Sequence, residues 1–267
     1  DEIEILSPDT TQKPSFNPNE SPKSINKIKP EDVAQKILNL AGIFTFVPDY
    51  RTLRIGSMFD KKRTESSLAH LIDPKKLQVS SLIVRMDLNF NEEALRKQLS
   101  VSPCSVITNQ PFSSEILDLY SEKIVELVYY IEDDSKEGVD FIKKVSAKSI
   151  NCLLRSRKTG DELNDYKLAY FDYGLIHEIP QRTQKDFEEL KGKKNLYYKS
   201  NRFIIHNNSF YLSSASLLED EFFNFGVESK EERRKSGFAS MEHEPQPVID
   251  DPLFWEEEEH FHFLEKK

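Results

Sequence analysis

Apolar positions along the chain keep two periods, and the switches between them mark out the predicted elements. Val33, Ile37, Leu40 and Ala41 recur at helical spacing behind Pro30-Glu31-Asp32, a first turn that suits proline and acids, and Gly42 ends the run. IFTFV (43–47) and LRIGSMF (53–59) alternate as strands around Pro48-Asp49. Thr64-Glu65 opens a short predicted helix through Ala69 and Leu71, which Asp73-Pro74 closes. Leu77 to Phe90, rich in Val, Ile and Leu, predicts one long strand. Asn91 then caps a helix over Ala94, Leu95 and Leu99, and CSVIT (104–108) is a short strand. The broadest apolar face follows Ser114. Leu117, Tyr120, Ile124, Leu127, Val128 and Ile131 predict a helix over 114–132, central to the core.

A second helix starts at Lys136, with Val139, Ile142 and Val145 on one side. It gives way to a strand in INCLLRSR (150–157), whose predicted partner is KLAYFDYG (167–174) across the turn-rich KTGDELND. Thr183 to Leu190 reads as a capped short helix. RFIIH and SFYLS form a hairpin across Asn207-Asn208, two residues tolerant of positive φ. Leu217 to Phe225 is the last predicted helix.

Interspersed helices and hairpins without an evident internal repeat predict an α+β domain in preference to strict βαβ alternation. The expected organisation is a flexible, disordered leader over 1–30, marked by five prolines among Ser, Thr, Asn and Lys, then a domain over 31–226. A division of that domain near Pro111 into two subdomains is the alternative. Residues 227–267 read as a charged linker and an acidic aromatic tail. Ile3, Ile5 and Leu6 could add an edge strand from the leader.

Composition narrows the class. Eighteen Phe and ten Tyr supply enough apolar material for a sizeable core, while the longest apolar run, Ile124 to Ile131, is interrupted by Glu126 and far short of the ~20 residues of a membrane span. Only eight glycines occur in 267 residues, which disfavours phosphate-cradling loops and with them nucleotide chemistry. GxGxxG, GxxxxGK[ST], GxSxG and HExxH are absent. Cys104 and Cys152 are far apart and read as buried thiols, although one disulfide is open to them in an oxidising compartment. A start at Asp1 without a basic–apolar leader leans towards a mature exported chain, periplasmic or extracellular, over a cytoplasmic one.

Charge is placed unevenly. The chain carries −9, and Glu242 to Lys267, with nine acidic and two basic residues, holds −7 of it. In that end Glu256 and His260, or Glu259 and His262, are spaced to meet on a helix and ligate zinc or copper. Four adjacent carboxylates repel and no further ligands complete a shell, so no metal and no cofactor are expected. Phe254, Trp255, Phe261 and Phe263 instead read as aromatic anchors that order against a partner. The complementary stretch is Lys191 to Tyr211, where Lys191, Lys193, Lys194, Lys199 and Arg202 interleave with Tyr197 and Tyr198 and no acid occurs. Such a mixture also suits base stacking, but the acidic chain and the missing nucleic-acid motifs disfavour that use.

The functional expectation is a non-catalytic interaction or structural subunit of an envelope, filament or scaffold assembly. Its partner is a protein, a second copy included, and it docks through the basic aromatic stretch and the acidic end, in cis or in trans. The competing expectation is a hydrolase using Asp172, His177 and Glu178, with Cys104 as a remoter nucleophile beside His70, His177 or His206. Convergence of the first three in a cleft is what would favour it.

Overall fold

The computed structural model describes residues 28–42, 49–77, 79, 81–132, 135–179, 188, 190–207, 209–220 and 243–267. Residues 1–27 of the predicted 1–30 leader, the strand at 43–47, nearly all of the 183–190 helix, the end of the 217–225 helix and the start of the 227–267 linker and tail, up to 242, lie outside these residues.

The fold is α+β, and it is built from two sheets. Seven strands of the larger one are parallel: β2 (Arg63–Ser66), β3 (Ile83–Arg85), β4 (Cys104–Thr108), β5 (Ile124–Ile131), β6 (Cys152–Ser156) and β7 (Ile176–Glu178) lie side by side in chain order, and β9 (Arg202–His206) pairs with β2. β10 (Ser209–Tyr211) closes that edge as the antiparallel arm of the predicted hairpin, with Asn207 at φ 46° in the turn. A helix fills each connection of the ordered run: α2 (Pro74–Leu77), α3 (Glu92–Val101), α4 (Ser114–Tyr120), α5 (Lys136–Ala147) and α6 (Gly160–Ala169). Crossovers of one hand, taken always in one direction, place all five crossover helices on one face. The packing agrees: Leu95, Leu99, Ile116, Ile142, Val145 and Leu163 share one core with Val84, Val106, Leu127, Leu154 and Ile176. The alternate strand residues form the opposite face, which is helix-free in the sense that none of these crossover helices packs on it.

The second sheet has the order β1-β12-β8-β11, from β1 (Tyr50–Ile55), β12 (Phe261–Lys266), β8 (Leu196–Ser200) and β11 (Gln246–Pro247), all antiparallel. Its core joins Leu196, Tyr198 and Phe203 to Phe254, Trp255, Phe261 and Phe263. The acidic end is therefore the middle of a sheet rather than an appendage, and residues 243–267 belong to the folded body.

Several predicted elements change type. The helix over 114–132 stops at Tyr120, and Ile124–Ile131 is the strand β5. A bulge explains the misreading. Cys104 pairs with Ile124 but Val106 pairs with Leu127, so β5 carries one extra residue, and its buried positions become 124, 127, 129 and 131. That shift turns a period of two into an imitation of helical spacing. Thr64-Glu65 belongs to strand β2, not to a helix, and the predicted 77–90 strand is paired only over Ile83–Arg85. KLAYFDYG does not return as a hairpin: Gly160–Ala169 is helical, and β6 pairs in parallel with Ile176–Glu178. The last helix begins earlier, as α7 (Ser214–Leu218), because Ser213 and Ser216 form a reciprocal capping box.

Candidate functional site: the acidic end and the helix-free face

The acidic end and the basic aromatic stretch meet each other within the chain. Phe263 lies opposite Tyr198, and Leu264 opposite Tyr197. Phe254 stacks on Phe261 at 4.6 Å and Trp255 on Phe263 at 5.7 Å between ring centres. Lys191 Nζ sits 5.0 Å above the Trp255 ring, and Lys193 Nζ is 3.3 Å from Glu265. Lys194 is exposed, while Tyr197 and Lys199 are half-buried on β8. Phe254, Phe261 and Phe263 have no exposed surface, so as anchors they are filled from inside and present nothing to a separate protein.

The four adjacent glutamates avoid mutual repulsion by leaving in different directions. Glu256 reaches Arg157 at 2.8 Å, and Glu258 reaches Arg54 at 2.9 Å. Glu257 takes Arg202 at 2.5 Å and accepts from both the backbone N–H and the hydroxyl of Ser214. The Glu259 carbonyl accepts from Met58 N–H at 2.8 Å, and Gly56 approaches so closely beneath it that a Cβ there has no room.

Glu257 completes a buried network of three guanidinium groups and three carboxylates. Arg85 contacts Glu65 at 2.6 Å and Asp87 at 2.8 Å, Arg63 lies 3.4 Å from Glu65, and Arg202 bridges Glu65 and Glu257. Burial pushes the Glu65 carboxyl up, but Arg202, Arg85 and Arg63 outweigh it and hold the group at about 2. Glu257 is likewise held below the ordinary carboxylate range, its burial overcome by Arg202 and Arg85. His260 beside them is driven down to about 3 by burial and by Arg202 and Arg63, and stays neutral. By register Arg63, Glu65, Arg85 and Arg202 all belong to the helix-free face. The acidic end thus covers the β9–β2–β3 end of that face. At the other end Val128, Tyr130, Leu153 and Arg155 are half-buried and His177 is exposed.

The candidate chemistry finds little support. Asp172, His177 and Glu178 are all exposed, and His177 and Glu178, adjacent in β7, point to opposite faces, so the three do not converge. Cys104 and Cys152 are unbonded thiols, each pushed up to about 12 by burial, far from a reactive thiolate. Among the described residues no three His, Cys, Asp or Glu side chains gather to hold a metal ion; His262 Nε2 instead faces Thr52 Oγ1 at 3.0 Å. One pair was not singled out in the sequence: Ser67 Oγ lies 2.6 Å from His206 Nδ1, with Asn207 on the far ring nitrogen. Ser67 has no exposed surface, so no substrate reaches the hydroxyl, and the pair ties the ends of β2 and β9 together.

Two hollows remain. The larger, about 670 Å³, lies between α3, α4 and α5 and mixes Glu92, Glu137 and Asp140 with Lys136 and Lys144 around Phe112 and Phe141, which gives it no preferred ligand charge. The smaller, about 160 Å³, opens at the carboxyl ends of β5, β6 and β7. No known family model matches the chain, and no curated protein sequence matches it either. The arginine partners outside the basic stretch, Arg54, Arg85 and Arg157, were the main omission. One signal was present: Arg85 ends the apolar run of Leu82, Ile83 and Val84, and a charge there needs a buried counter-charge.

Proposed function

We propose that this protein is a non-catalytic interaction subunit of a larger protein assembly, working as a scaffold that a partner protein joins at the β7 end of the parallel sheet. The observation that carries this reading is an apolar patch: Leu168, Phe171 and Leu175 are 76%, 78% and 79% exposed within eight residues. Single exposed hydrophobics are ordinary, but three together beside a terminal strand mark an interaction surface. The dispersal of Asp172, His177 and Glu178 and the closed Ser67–His206 pair favour binding over hydrolysis. The basic aromatic stretch and the acidic end are occupied with one another, so the docking surface moves from them to the β7 end.

The test is the native mass of the full chain, purified and in extract of its source. The expected result is a higher mass in extract that is lost on Phe171→Asp/Leu175→Asp with an unchanged melting temperature. A higher mass already present in the purified protein assigns the patch to self-association. Equal, monomeric mass in both would overturn the reading.

A further inference from the structure

Arginines on the helix-free face follow a rule with one exception. Arg63, Arg85 and Arg202 each meet a carboxylate there, and Arg157, just beyond β6, meets Glu256. Arg155 does not. It projects from β6 on the same face, half-buried beside Tyr130 and opposite His177, and no ion pair or side-chain hydrogen bond joins it to a described residue. It lines the 160 Å³ cavity together with Tyr130, Glu132, Arg157, Lys158 and Ile179. The other charges there are engaged: Lys158 with Glu162 at 3.1 Å, and Glu132 with the Asn109 amide at 3.2 Å. A half-buried guanidinium without a counter-charge is poorly solvated, and a bidentate carboxylate is the group that best completes it.

Size decides what carries that carboxylate. Small-molecule sites run to roughly 300–1,000 Å³, so this cavity suits one side chain rather than a whole metabolite. β7 is the last strand of its sheet, and among the described residues no strand pairs with its outer edge. Such an edge is a template for strand addition. A strand laid there would stand two spacings of ~4.8 Å from β6, within the joint reach of a glutamate and Arg155. Leu168, Phe171 and Leu175 stand exposed along the stretch that leads from α6 into β7, so the added strand would find apolar cover as well.

From these observations, which rest on the scaffold reading above, we infer that the free edge of β7 receives an extended acidic segment of a partner protein. The segment pairs with the β7 backbone, packs apolar side chains on Leu175 and Phe171, and sets one Glu or Asp carboxylate on Arg155. Nucleic acid would offer phosphates to the same arginine but no strand for the edge.

The test is selection of random twelve-residue peptides against the full chain, followed by anisotropy of the enriched peptides at about 0.1 M salt. The expected winners alternate apolar residues with Asp or Glu. Arg155→Gln should weaken them about tenfold or more, and Arg155→Glu should restore binding when the peptide acid is exchanged for Lys. Winners without acids, or winners indifferent to both Arg155 variants, would overturn the inference. If those winners were still lost on Phe171→Asp/Leu175→Asp, the scaffold reading would survive alone. Capture of a twenty-nucleotide single strand, lost with Arg155→Gln while no peptide binds, would overturn it in favour of nucleic acid.

Discussion

The two ends of one sheet face make the most instructive comparison in this molecule. At the β9–β2–β3 end, charged residues sit in a closed layer, because the C-terminal segment brings Glu257 to complete three arginines and two carboxylates already there. At the β5–β7 end, the cover stops short: among the described residues Arg155 meets no counter-charge and no strand pairs with the outer edge of β7, and Leu168, Phe171 and Leu175 stand exposed. Burial of charge therefore follows coverage. Where a segment of the chain covers the face, acids and arginines balance; where none does, one arginine is left over.

The largest effects are expected where the cover is anchored. Phe254 and Phe261 have no exposed surface and stack on each other, so either Phe→Ala change should cost about 3–5 kcal/mol in denaturant unfolding. A cost below about 1 kcal/mol would show that the C-terminal segment is not part of the cooperative unit. Glu257→Ala should cost roughly 3–5 kcal/mol, since it leaves buried Arg202 with only Glu65, 3.7 Å away and shared with Arg63 and Arg85. The hydrophobic anchors and the ionic clamp are thus comparable in the change they make when cut, although the clamp adds less net stability than well-packed apolar groups of the same volume would.

Acid should loosen the covered end in two steps. The folded-state values of His260 and Glu65, about 3 and about 2, both lie below their unfolded ones. Such groups stabilise fully above the unfolded value and lose that contribution as pH falls towards the folded one. The His260 contribution should fade below about pH 6.5, and those of Glu65 and Glu257 below about pH 4.5. In melting temperature against pH, His260→Gln should flatten the slope between about pH 6.5 and 4.5 and leave the steeper limb beneath it. An unchanged slope would mean the imidazole is not buried against Arg202 and Arg63.

The smallest effect belongs to the bare end. Phe171→Asp should change stability by no more than about 0.5 kcal/mol, because the ring is 78% exposed. A loss of 2 kcal/mol would place Phe171 in a packed layer and remove the patch as a docking surface.

Legibility in the sequence followed the range of the interactions. Local signals read correctly: Asn91 caps α3 by accepting from Ala94 N–H, CSVIT is a strand, and the hairpin turns at Asn207. The complementarity between Lys191–Tyr211 and the acidic end was also visible, as charge and as interleaved aromatics. Three-residue strands such as Ile83–Arg85 offer no period to detect, and parallel partners lie about twenty residues or more apart with a helix between. In β5 the bulge disguised alternation as helical spacing. The ion pairs of the glutamate run were not legible, because Arg54, Arg157 and Arg202 are scattered over the chain and come together only in the fold.

The central claim is that the acidic end is the structural cover of one half of the face, which leaves the other half to the partner proposed above. Native-state hydrogen exchange of the full chain tests it most directly. The amides of Phe261–Lys266, hydrogen-bonded between β1 and β8, should open only with global unfolding, as slowly as those of β5, while the outward amides of β7 exchange faster. Fast exchange across Phe261–Lys266, with red-shifted emission from Trp255, would contradict the account.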